Sequence, residues 1–130
     1  MKNDINSRGD VERLVTKFYE KVIADPLIGP IFTEVVQVNW EKHLPVMFNF
    51  WENALFYTGN YSGNPMMSHQ RLNEIFPLQE QHFNQWVLLF TETVDELFEG
   101  EKANLAKQKA LSISTILRIK ILKESKEGLI

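Results

Sequence analysis

Five side chains in this sequence carry chemistry that their surroundings sharpen: Tyr19, His43, His69, His82 and Trp86. Tyr19 follows Val15 by four residues and precedes Ile23 by four, a spacing that turns its ring inward on a helix. An inward phenol needs a hydrogen-bond partner, and a backbone carbonyl is the ordinary one. His43 shares a helical face with Met47, Phe50 and Ala54. Trp86 lies between Phe83 and Phe90 on an apolar stripe, where packing is the ordinary role. His69 stands in "GNYSGNPMMSHQRL", a turn that passes into a place where a short helix can begin. His82 falls in the first turn of its helix, at the surface or the rim of a pocket.

Several chemistries are excluded by type and spacing. Zinc wants His, Asp, Glu or Cys clustered at short range, yet no HxxxH or HxxE pattern links His43 to His69. With no cysteine there is no disulfide, no thiolate site and no thiol nucleophile. No GxSxG elbow is present, and "SGNP" lacks phosphate-loop spacing. A haem site asks for something different: one neutral imidazole on one side of a flat apolar slot and a few donors on the other. One histidine on a separate short helix and inward polar groups elsewhere suit that demand. Each of those groups also has a plain structural reading, so residue types alone leave the choice open.

The elements that must position these groups read as helices almost throughout. Val11, Leu14, Val15, Phe18, Tyr19, Val22 and Ile23 mark one helix, with Asp10 a plausible N-cap and Asp25-Pro26 the stop. "PLIGPIF" is a corner. A second helix covers about 40–57, with Trp40, Leu44, Met47, Phe48, Trp51, Ala54 and Leu55 on one stripe. Pro45 places its regular start near 41–44, because a helix tolerates proline in its first turn. Pro65 can serve an early position of the short helix carrying His69. A further helix spans about 80–99, closed by Gly100, and the last about 102–123, with a mobile tail "KESKEGLI". The sum is an all-α single domain over 1–130, its core about 10–123.

Composition agrees. Apolar residues are 44% and aromatic residues 12%, enough for a core and for walls around something flat. Seventeen acidic against 14 basic side chains give a net charge of -3, which disfavours nucleic acid. No uncharged apolar run approaches the roughly 20 residues of a membrane span, and the polar start has no apolar signal core. The expected location is the cytoplasm.

Four blocks in order, "KFYEKVIADPLIGPIF", "WEKHLPVMFNFWENAL", "YSGNPMMSHQRL" and "HFNQWVLLFTETVDELF", resemble the truncated haemoglobins, specifically their third group. The resemblance spans about Asp10 to Lys123. All six glycines are isolated, whereas the first two groups usually carry Gly-Gly pairs. It implies a shortened globin fold, two helices over two around haem b. It implies His69 as the proximal iron ligand and Tyr19, His43 and Trp86 as distal polar groups around a bound gas. Phe32 corresponds to an aromatic wedge at the corner. Met47, Phe48, Trp51, Tyr61, Met66, Leu72, His82, Phe83 and Ile113 are expected at the cofactor. The implied function is reversible binding of oxygen or another diatomic gas, with slow oxygen release. Two alternatives stand beside it. One is a haem enzyme removing nitric oxide or peroxide with the help of a partner reductase; the other is a cofactor-free helical interaction domain.

Overall fold

The computed structural model describes residues 2–35, 38–59, 61 and 78–127, with side chains omitted at 35 and beyond 121. Every regular element among these residues is helical: α1 Arg8–Ala24, a single π-helical turn Ile31–Val35, α2 Trp40–Phe56, α3 Glu80–Leu97 and α4 Glu101–Glu127. α1 packs on α2 and α3, and α4 packs on α3 and α2. The pair α1/α2 therefore faces the pair α3/α4, the expected two-over-two arrangement.

α1 starts earlier than the apolar spacing indicates. Its N-cap is Ser7, whose Oγ accepts the Asp10 N–H at 3.2 Å, while the Asp10 carboxylate accepts the Asn6 N–H at 3.0 Å. Asp10 is thus the third helical residue, serving the turn from inside. Ile23, assigned inward by its spacing, is 41% exposed, because α1 ends one residue later and turns away. That turn is tight. A Cβ on Gly29 would lie 2.5 Å from the Ile23 carbonyl oxygen, so only glycine lets the corner fold back on α1.

α2 runs regularly from Trp40 through Pro45, not from 41–44. Asn39 caps it, and the bond that Pro45 cannot donate falls to an exposed stretch where water can serve the carbonyl of Glu41. Of its apolar stripe only Trp51 and Leu55 are buried; Trp40, Leu44, Met47 and Phe48 are half-buried against the core. α3 ends at Leu97, two residues short of the expected Glu99, with the Phe98 N–H bonded to the Val94 carbonyl at 2.8 Å. α4 continues past Lys123 to Glu127, so "KESKE" is helical.

The core reaches further toward the start than the periodicity placed it. Ile5 is 1% exposed, and Asp4 caps α4 from a distance in sequence. Its Oδ2 accepts the Lys102 N–H at 3.0 Å, and its Oδ1 accepts those of Ala103 at 2.9 Å and Ile5 at 2.8 Å. Gly100 (φ +143°) makes the approach possible, since a Cβ there would meet the Asp4 carboxyl carbon at 2.5 Å. Ala103, Ala106 and Ala110 are buried on α4, the small residues that let its neighbours come close.

Candidate functional site

Tyr19 lies at the middle of a cluster of rings contributed by α1, the corner turn and the start of α2. It is 8% exposed. Its ring centroid is 5.1 Å from Phe18, 5.1 Å from Trp40, 5.5 Å from His43 and 6.3 Å from Phe32. Trp40 and His43 sit three residues apart on α2 and so share a face; their rings meet edge-on at 5.6 Å. The Asn39 carbonyl accepts the His43 N–H at 2.9 Å, which fixes the first turn of α2 and with it both rings. His43 Nε2 is buried within this assembly.

Burial pushes the Tyr19 phenol well above its usual range, so it stays protonated and able to donate. No hydrogen bond joins its hydroxyl to any described residue. The backbone carbonyl that an ordinary core tyrosine would use is not supplied among them.

Trp86 is one ring removed. It meets Phe18 edge-on at 5.6 Å and stacks on Phe90 at 5.8 Å, and Phe90 stacks in turn on Trp51 at 4.5 Å. Its indole N–H likewise has no bond to a described residue. The structure therefore joins Tyr19 to His43 directly and to Trp86 through Phe18.

The remaining expected residues divide. Phe32, Met47, Phe48 and Ile113 are half-buried against the core, and Trp51 and Phe83 are buried in it. Tyr61 is half-buried, its ring 5.0 Å from Phe50, and burial raises its phenol. His82 is buried at 8% exposure, not at the surface. Its Nδ1 accepts the Gln79 N–H at 2.8 Å, which pins the start of α3, and burial lowers its pKa and favours the neutral ring that can accept. His69, Met66 and Leu72 lie outside the described residues.

Trp40 was missed as a site residue. Helical spacing put it on the inner stripe but gave no sign that it would touch Tyr19, Phe32 and His43 together. Its place three residues before His43 was the available signal.

The chain matches the family described as bacterial-like globin over residues 3–121. It is 30% identical over 118 residues to the group 3 truncated hemoglobin ctb of Campylobacter jejuni, covering 88% of this chain and 91% of that protein. The chain belongs to the bacterial-like globins, among the group III truncated haemoglobins. The group 2 truncated hemoglobin YjbI of Bacillus subtilis is 27% identical over 92 residues, covering 70% of this chain and 67% of its own. The crystal structure of the group III truncated hemoglobin from Campylobacter jejuni aligns with a TM-score of 0.80 at 28% identity, covering 93% of this chain and 95% of that one.

Membership implies a haem, and the residues fit one. A row of half-buried apolar side chains (Phe32, Met47, Phe48, Trp86 and Ile113) offers wall. Burial keeps the Tyr19 phenol protonated, so that it can donate. Among the described residues no group of three or more His, Cys, Asp or Glu side chains could hold a metal ion. None of the described helices is long and apolar enough to cross a membrane.

Proposed function

We propose that this truncated haemoglobin binds haem b through His69 and holds a diatomic gas, oxygen foremost, beside Tyr19, His43 and Trp86, releasing it slowly. The observation that supports this reading is the buried, protonated Tyr19 phenol without a partner among the described residues, with the His43 imidazole 5.5 Å from its ring. When bound, haem supplies the iron that takes the gas and gives it electron density. Everything else falls to the chain. Apolar side chains of α2, α3 and α4 exclude water, which strengthens any hydrogen bond made inside. Tyr19 Oη donates to the negative end of the guest, and the Trp86 indole and one tautomer of His43 are further donors. Each donor in a dry site retains the guest by about 1–3 kcal/mol, roughly tenfold to a hundredfold in release rate.

Slow release suits sensing, storage or redox work on nitric oxide better than delivery. Turnover of nitric oxide or peroxide needs electrons, which a separate reductase would supply.

The test is reconstitution of the apo chain with hemin, followed by visible absorption. We expect a Soret band with the wild type and its loss or marked weakening with His69→Ala. A colourless wild type returns the cofactor-free interaction domain to favour.

A further inference from the structure

We propose that Trp40 is a positioning residue that holds the Tyr19 and His43 rings in one arrangement, so that donor and neighbouring imidazole move together or not at all. The proposal rests on the haem-and-gas reading above and adds a residue to it.

The Tyr19 ring has two neighbours at 5.1 Å, Phe18 and Trp40, each inclined to it by 57°. They differ in what it takes to move them. Phe18 is fully buried, follows the same helix, and also carries Trp86 and Phe90 on its edges. Moving it disturbs the core. Trp40 is half-buried and is the first residue of α2, where a side chain has no preceding turn to lean on. It is therefore the flank of Tyr19 that can swing. The same indole meets His43 at 5.6 Å and Phe32 at 6.2 Å. A single rotation of Trp40 would release the phenol and the imidazole at once, and no other ring among the described residues touches both together with Phe32.

This predicts an effect transmitted through Tyr19, not a general loosening. The full chain, loaded with hemin and reduced, is compared as wild type, Trp40→Phe, Trp40→Ala, Tyr19→Phe and the Trp40→Ala/Tyr19→Phe double variant. Two readouts are taken: the oxygen release rate and the infrared stretching band of carbon monoxide, which reports the field of the donors around it. Trp40→Ala should speed release by about threefold to tenfold, the worth of one or two lost ring contacts. It should also broaden or split the infrared band. In the Tyr19→Phe background the same change should add less than about twofold, because coupled residues are non-additive. Trp40→Phe, which keeps a ring, should restore most of the wild-type behaviour.

Wild-type release and an unaltered band in Trp40→Ala overturn the proposal. So does an equal acceleration in both backgrounds, which would mean simple loosening. If Trp40→Ala does not retain haem, Trp40→Leu is judged by the same criteria. A wild type that takes up no hemin defeats the proposed function itself, and that outcome is separate from the others.

Discussion

Two aromatic clusters share α1, and they are built to opposite ends. Phe18, Phe90 and Trp51 lie in the layer between α1, α2 and α3, all buried, with Trp51 stacked on Phe90 at 4.5 Å and Phe18 edge-on to Phe90 at 5.1 Å. Every surface there is met by another apolar surface. One residue along the chain, Tyr19, Trp40, His43 and Phe32 form a cluster with hydrogen-bonding capacity, three of the four only partly buried. The first cluster spends its chemistry on packing. The second carries the Tyr19 phenol, which burial keeps protonated. The difference separates the part of the fold that makes stability from the part where we propose the site.

The sharpest way to break the comparison is to hollow out the first cluster. Phe90→Ala removes a fully buried ring that touches Phe18, Trp51 and Trp86. Such truncations cost about 3–5 kcal/mol, and little at this site can collapse to refill the space. Urea unfolding should show that loss in the apo chain. A change under 1 kcal/mol (about the cost of a surface substitution) would mean the stack is not the centre of the core.

Tyr19→Phe acts on the second cluster and should invert the pattern. It deletes one oxygen that no described residue binds, so apo stability should hold or rise by up to about 1 kcal/mol. Oxygen release from the haem-loaded protein should accelerate by about tenfold to a hundredfold, measured by stopped flow. If stability falls instead and release is unchanged, the hydroxyl is structural and the contrast between the clusters collapses.

Much of this was legible in the sequence, for a physical reason. Apolar residues at helical spacing marked α1, α2, α3 and α4, because burial acts on whole faces and leaves a period behind. The inward direction of Tyr19 followed from Val15 and Ile23 in the same way, although Ile23 itself proved exposed once the chain turned at Asp25. What periodicity could not carry was contact between elements. Trp40 reaching Tyr19, and Phe18 linking Tyr19 to Trp86, depend on how α1, α2 and α3 cross. The α1 cap was placed at Asp10, and the α4 cap went unread, for a related reason: Ser7 and Asp4 act through individual hydrogen bonds, which leave no repeat. His82 showed the same limit, since a helix-start position says nothing of whether the ring folds back onto the Gln79 N–H.

Asp4 gives the smallest effect and the finest control on the comparison, because it touches neither cluster. Its carboxylate is opposed by burial, yet the N–H groups of Lys102, Ala103 and Ile5 and the Lys102 ammonium outweigh that and hold its pKa below 3.8. A folded-state pKa that is depressed contributes stability in full above the unfolded value and loses it as pH falls through the folded one. Asp4→Ala should therefore cost about 1–2 kcal/mol at pH 7, in the range of a lost helix cap. The gap between the two proteins should narrow when urea unfolding is repeated at pH values below the ordinary carboxyl range, as the wild-type carboxyl takes up its proton. Release of the gas should be the same in both. A gap that stays constant with pH would show that Asp4 acts by shape at Gly100 and not by charge, and altered release would show that the α4 start is coupled to the ring cluster after all.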